Sequence, residues 1–425
     1  MQGRASEAEA RPGAGLHDAL QAVVEGRRSR GLLRSLTVRP PGQADFCSND
    51  YLGFAAAPQL ARDVDAAMAR YRCAQEGGSD CGLGSTGSRL LSGNSTYYEE
   101  TERMLAEFHG AESALLFNSG FDLNLGLYAY MPQPDDVVVF DELVHSSIHE
   151  GLRLSRARST PFKHNDTGDL RSKLSSIAAE RETSTSAGRK PNIIVAVESV
   201  YSMDGDCAPL VEFCDAADEV GAAVVVDEAH GTGVFGHEGR GWAAELGVER
   251  RVFCRVHTFG KALGVHGAVV VGPRVLRDYL INYARPLIYS TSLPAHSLVS
   301  VRCAYALLRR EAAGRQRRLR ALLDAFRERA ARLPQGRVLA SPSPIQAVVV
   351  PGNAACVAAA QLLQQRGFAV LPIRSPTVPA GTERLRIILH SHNTHEEVSA
   401  LMDAVEEALA AAPGRGREGE ASSRL

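Results

Sequence analysis

Lysine is nearly absent from this chain: only Lys163, Lys173, Lys190 and Lys261 break an otherwise all-arginine set of 47 basic residues. Positive charge is not in surplus either. The formal net charge of -2 removes the electrostatic basis for binding nucleic acid or an anionic membrane, and neither partner is expected. Long apolar runs are missing too. None reaches the roughly 18 residues of a membrane span, and Glu7 and Glu9 stand where a signal or transit peptide would be apolar or basic. The eight cysteines, Cys47, Cys73, Cys81, Cys207, Cys214, Cys254, Cys303 and Cys356, include no C-x-x-C pair. They read as reduced residues of an intracellular protein. His145 and His149 stand at helical i, i+4 spacing, and His390, His392 and His395 cluster. With no H-E-x-x-H and no cysteine nearby, no metal is expected.

What is present is a large apolar fraction, 44% of 425 residues, enough for a complete enzyme of two or three folding units. The central part alternates strand-like and helix-like stretches. Asn192 to Glu198 is a β-branched run, Pro209 to Val220 has helical apolar spacing, and Ala222 to Asp227 is a second buried-strand run. That order is a parallel βαβ crossover. Further strands are expected at Ala114 to Phe117, Val137 to Phe140, Val252 to His257 and Ala268 to Val271, giving an α/β core with a mostly parallel sheet. From about Leu293 the texture changes to long Arg-, Ala- and Leu-rich helices (Ser297 to Arg332), two apolar runs (Gln346 to Val350 and Leu385 to Leu389) and an amphipathic helix from His395 to Leu409. The chain therefore divides into a helical arm with a short strand (1–50), a large α/β domain (51–292), a smaller α+β domain (293–409) and a tail (410–425). The stretch 181–191 reads as a surface loop. The tail stops at Ser423-Arg424-Leu425, a conservative variant of the S-K-L peroxisomal address, so import by the peroxisomal receptor is expected, with the cytoplasm as the alternative.

Three of the four lysines lie among polar neighbours, where a solvated charge is the ordinary reading. Lys261 lies in His257-Thr-Phe-Gly-Lys-Ala-Leu-Gly264, between two strand-like runs, where an unpaired ammonium is costly. A lysine amine is nucleophilic only when unprotonated, and desolvation together with a carbonyl partner suits it to a Schiff base with an aldehyde cofactor. Asp227 ends the run AAVVVD, and a carboxylate at the C-terminal end of a parallel strand faces the crevice where α/β sheets bind ligands. An acid there fits the pyridine nitrogen of pyridoxal phosphate, with His230 three residues on. Gly231, Gly233 and Gly236 spell G-x-G-x-x-G directly after that strand. They run into a second glycine cluster instead of an apolar-periodic helix, which argues against a dinucleotide site. The loop Gly84 to Gly93 lacks the Gly-Lys-Ser/Thr ending of a P-loop.

The stretches FCSNDYLGF (46–54), GSTGSRLLSGN (84–94), FNSGFDLN (117–124), ESVYSMDGDCAPL (198–210), VVVDEAHGTGVFG (224–236), HTFGKALGVHGAVV (257–270) and PTVPAGTERLRI (376–387) resemble, in order, the motifs of the α-oxoamine synthases. These are fold-type-I pyridoxal-5'-phosphate enzymes with a three-layer α/β/α large domain and a smaller α+β domain. The resemblance implies that Lys261 is the Schiff-base lysine and general base, and that Asp227 partners the pyridine nitrogen. It places His145 on the cofactor ring, Ser202 and His230 near the phenolic oxygen, and Gly120, Phe121 and Thr258 at the phosphate. Ser290 and Thr291 would be phosphate ligands donated by the partner subunit of a homodimer. Asn49 and Arg386 would hold the amino-acid carboxylate. The family joins an amino acid to an acyl-CoA, releasing CoA and CO2.

Within the family, Ile373-Arg-Ser-Pro-Thr-Val-Pro379 resembles the branch that joins alanine to pimeloyl-CoA in biotin synthesis, with Arg374 as a second cationic contact. Arg34 aligns with an arginine of that branch that meets the distal carboxylate of the acyl chain, a role suited to a bidentate guanidinium. The branches that make secondary metabolites, 2-amino-3-ketobutyrate, 5-aminolevulinate or sphingolipid precursors share every cofactor residue. Retention of Lys261 argues against a non-catalytic subunit.

Overall fold

A computed structural model describes residues 14–74, 83–183 and 190–411. Cys81, most of the 181–191 loop and the tripeptide Ser423-Arg424-Leu425 lie outside the described residues. Among the described residues there are twelve strands: β1 (Ala44–Asp45), β2 (Ser113–Phe117), β3 (Val137–Asp141), β4 (Arg158–Phe162), β5 (Ile193–Glu198), β6 (Ala223–Asp227), β7 (Cys254–Thr258), β8 (Ala268–Gly272), β9 (Ile345–Val349), β10 (Phe368–Ala369), β11 (Leu371–Ile373) and β12 (Arg384–Ile388). Seven of them make one sheet in the order β2-β8-β7-β6-β5-β3-β4. The pairs from β7 through β4 are parallel, while β8 runs antiparallel to both its neighbours. Strands β2, β3 and β5 are buried at every residue, as expected of continuous apolar runs covered on both faces.

Register decides what reaches the edge. Glu198 pairs with Asp227, Asp227 with Val256, and Thr258 with Ala268, which also faces Phe117. The C-terminal ends of β2, β5, β6 and β7 therefore stand side by side along one rim, the place where an open α/β sheet presents its binding crevice.

The second, three-stranded antiparallel sheet has the order β11-β12-β9. It shares an apolar core with one face of the large sheet, running from Phe46 and Phe54 through Leu298, Val301 and Tyr305 to Ile345, Leu385 and Leu401. The expected group of helices over Ser297 to Arg332 is a single helix, Ala295–Ala330, 36 residues long. Gly314 lies inside it without interrupting it, and a side chain there would meet only open space. Strand β1 pairs with β10, and the amides of Ile388 and Ser391 bond the carbonyls of Phe46 and Tyr51. The 46–54 segment is thus laced to the C-terminal part of the chain, and through it Asn49 and Tyr51 are carried to the rim of the large sheet.

Candidate active site

The rim opens into a cavity of about 320 Å³ lined by Asn49, Gly120, Phe121, His145, Glu198, Asp227, His230, Thr258 and Lys261, among others. Apart from Glu198, these eight residues singled out from sequence converge on one space although they come from five separate segments of chain.

The helix Gly120–Tyr130 begins at the cavity, capped by Ser119, whose hydroxyl accepts the Asp122 amide at 3.1 Å. The amides of Gly120 and Phe121 lie in the first turn and have no carbonyl one turn back to bond, so an anion placed there gains donors and the positive end of the helix dipole. Thr258 ends β7 beside them. Its Oγ1 is buried without a hydrogen-bond partner, an expensive state unless a ligand supplies the partner. A Cβ on Gly120 would collide with the Thr258 methyl, so the approach of helix to strand at this anion cradle requires glycine.

Asp227 is 4% exposed. Its carboxylate is held by the Asn124 side-chain amide at 2.7 Å and by the Ala229 amide at 2.9 Å. Lys261 sits in the turn after β7. Burial lowers its pKa, while the charges of Asp227 and Glu198 pull in the opposite direction and Arg386 adds to the lowering. A larger fraction of free amine follows, which is what Schiff-base chemistry needs.

His145 caps the helix Ser146–Leu154: its Nδ1 lies 2.7 Å from the Ser147 hydroxyl, and its backbone amide donates to Glu198. Burial lowers its pKa, opposed by Asp227 and assisted by Lys261. Among the described residues no group of three or more histidine, cysteine, aspartate or glutamate side chains stands ready to hold a metal ion.

His230 is nearly fully buried, and burial, with Lys261, Arg386 and His145 nearby, drives its pKa well below the ordinary range. Arg386, on β12, donates through Nε to the Ser202 carbonyl at 2.6 Å and through Nη2 to Asn49 Oδ1 at 3.1 Å. Asn49 and Arg386 are thereby assembled as one polar unit at the mouth of the site. Ser202 enters this network through its carbonyl. The glycines of the G-x-G-x-x-G string serve packing: Gly233, at φ 81°, admits Ala262, the neighbour of Lys261, at a distance no Cβ would tolerate.

Six expected residues do not line the cavity: Ser202 and Arg386, which are joined to it through Asn49, and Ser290, Thr291, Arg34 and Arg374. Ser290 and Thr291 lie outside it, with the Thr291 carbonyl accepting from Asn118. Arg34 is exposed on the segment after the N-terminal helix. Arg374 instead donates to the Gly31 carbonyl at 3.0 Å, fastening the arm that carries Arg34 to the second sheet.

Sequence reasoning passed over Glu198, Asn124 and Tyr51. Glu198 carried a usable signal, since it ends NIIVAVE as Asp227 ends AAVVVD. It is 3% exposed, and burial next to Asp227 pushes its carboxyl well above the usual range. Asn124 follows Gly120 by four positions, one helical turn, which places it on the cavity side. Tyr51 gave no local signal.

Residues 41–405 match the aminotransferase class I and II family, and the chain belongs to it. Within that family it is an α-oxoamine synthase of fold type I. It is 43% identical to the 8-amino-7-oxononanoate synthase of Emericella nidulans over 92% of this chain and 95% of that one. It is 36% identical to the aminoacyl transferase sphA of Aspergillus fumigatus, over 90% and 85% of the two chains. Among solved structures it superposes on the serine palmitoyltransferase of Sphingomonas wittichii with a TM-score of 0.78 and 28% identity, covering 94% of this chain and 98% of that one. No described helix is long and apolar enough to cross a membrane.

Proposed function

We infer that this chain is a pyridoxal-5'-phosphate-dependent acyltransferase that condenses L-alanine with pimeloyl-CoA to give 8-amino-7-oxononanoate, CoA and CO2. The observation that carries the chemistry is the convergence of Lys261, Asp227 and the partnerless Thr258 hydroxyl on one cavity. These residues fit the cofactor: an amine for its aldehyde, a fixed carboxylate for its ring nitrogen, and the Gly120, Phe121 and Thr258 cradle for its phosphate. When bound, the cofactor supplies an electron sink for the carbanion formed at the amino acid's α-carbon. Lys261 would tether it and, as a free amine, would take the α-proton on Nζ, for which its lowered pKa suits it. The Asp227 carboxylate would face the ring nitrogen, His145 would cover a face of the ring, and His230 and Ser202 would stand near its phenolic oxygen. Asn49 and Arg386 receive the amino-acid carboxylate.

The choice of alanine and pimeloyl-CoA rests on the 43% identical relative and on the Arg34 and Arg374 motifs. The cofactor residues do not distinguish this branch from the aminoacyl transferase and serine palmitoyltransferase branches. A homodimer that shares its sites explains why Ser290 and Thr291 miss their own cavity, and why Leu16, Leu20, Val23, Leu36, Leu90 and Leu91 are exposed. A peroxisomal address is proposed on Ser423-Arg424-Leu425 alone.

The test is chemical. Purified protein should be yellow, and borohydride should fix the pyridoxyl group on the peptide containing Lys261. Labelling at another lysine refutes the assignment.

A further inference from the structure

Tyr51 is completely buried, and its hydroxyl lies 2.6 Å from His230 Nδ1. Burial pushes the Tyr51 pKa far above its ordinary value against the opposing pull of Arg386, so the oxygen keeps its proton at all working pH values. That one proton has two candidate acceptors. Asn49 Oδ1 is 3.3 Å away, longer than an ordinary O–H···O bond, and already accepts from Arg386 at 3.1 Å. Arg386 also stands beside the Tyr51 hydroxyl; a guanidinium only donates, so it offers that hydroxyl no acceptor and leaves the proton for His230. The neutral imidazole therefore accepts at Nδ1 and carries its proton on Nε2. Nε2 makes no hydrogen bond to a described residue, while the ring lines the cavity.

We propose that Tyr51 is a positioning residue that locks His230 in the Nε2–H tautomer, so that His230 acts on the bound cofactor as a fixed hydrogen-bond donor. This rests on the function inferred above. The lock also links the two halves of the site. The Asn49 and Arg386 pair that receives the amino-acid carboxylate, and the histidine that faces the cofactor oxygen, meet at one phenolic hydroxyl. The charged and titratable groups facing His230 are Lys261, Arg386, His145 and Tyr51. Removing the Tyr51 oxygen changes the hydrogen bonding of the imidazole and subtracts no charge.

The experiment titrates the absorbance of the cofactor bound to wild type, Tyr51→Phe, His230→Ala and the double variant, with steady-state kinetics alongside. A weaker donor at the phenolic oxygen leaves the lysine–cofactor nitrogen more basic. Tyr51→Phe should therefore raise the spectral midpoint by about one pH unit, a roughly tenfold change, and lower kcat by about tenfold or more. In the His230→Ala background the same substitution should move the midpoint no further, because the effect passes through the imidazole. An unmoved midpoint in Tyr51→Phe, or an equal shift with and without His230, overturns the role of Tyr51 while leaving the enzyme assignment standing. A wild type that takes up no cofactor refutes both.

Discussion

His164 offers a quantitative test of how the site is braced. Its ring lies between two carboxylates, with Nδ1 2.9 Å from Asp141 and Nε2 2.7 Å from Asp206. The edge of the ring meets the Tyr201 ring at 4.4 Å between centroids. Burial works to lower the pKa, but the hydrogen bonds and charges of the two carboxylates outweigh it and push the imidazole up to about 10. Asp206 belongs to the 202–207 loop, whose Ser202 carbonyl holds Arg386 and whose Asp204 pairs with Arg384. A charged histidine thus pins the loop that fixes a proposed substrate-binding arginine.

A rise from about 6.5 to about 10 amounts to an upper bound of about 5 kcal/mol at about 1.4 kcal/mol per unit. The His164 side chain is 20% exposed and that of Asp206 26%, so solvent screening brings the expected contribution down to about 2–3 kcal/mol. Because the pKa is raised on folding, this stabilisation is complete below about pH 6.5 and is lost as pH climbs through about 10. His164→Gln should lose it at every pH. Trp242 is the only tryptophan, and its indole donates at 2.9 Å to the carbonyl of Ala208, just beyond the pinned loop. Urea unfolding followed by its fluorescence should separate variant from wild type by about 2–3 kcal/mol at pH 7 and bring them nearly together at pH 10.5. A gap of the same size at both pH values would show that packing, not charge, carries the effect.

Two further outcomes concern substrate and address. If Arg34 meets the distal carboxylate of pimeloyl-CoA, Arg34→Ala should lower kcat/KM for that substrate by roughly 30-fold or more, since truncating one partner of a desolvated charge pair costs about 2–5 kcal/mol; equal wild-type rates with a mono-acid acyl-CoA of similar length would reject the pimeloyl reading. A fluorescent protein ending in the final segment of this chain should enter peroxisomes and return to the cytosol without Ser423-Arg424-Leu425; cytosolic signal with the tripeptide intact would refute the address.

Most strands of the large sheet were legible because burial on both faces leaves uninterrupted β-branched runs, and six strand positions read from those runs lie within two residues of β2, β3, β5, β6, β7 and β8. Strand β4 was missed. It is an edge strand whose RSTPF sequence is exposed over most of its length, so it carries no apolar signal. Asp227 and Lys261 were readable from where they fall against the strand pattern. The contact between Tyr51 and His230 spans 179 positions and has no periodicity to betray it. The family motif contained both residues without saying that they touch.

The division within the site has a physical origin. Asp227, Glu198 and Thr258 stand on strand ends fixed by neighbouring ladders, and the sheet that aligns them also carries the core. Such groups are preorganised by the fold itself, so a chemistry shared by several branches can be built on them without adjustment. The groups proposed for substrate choice are held otherwise. Arg386 is fixed through Asn49 and a loop carbonyl, Arg374 grips the arm, and Arg34 stands exposed on that arm. A change of acyl chain then asks only for a different residue or path in the arm, whereas any change at the strand ends would disturb the sheet. The acyl assignment accordingly rests on the arm and not on the cavity floor.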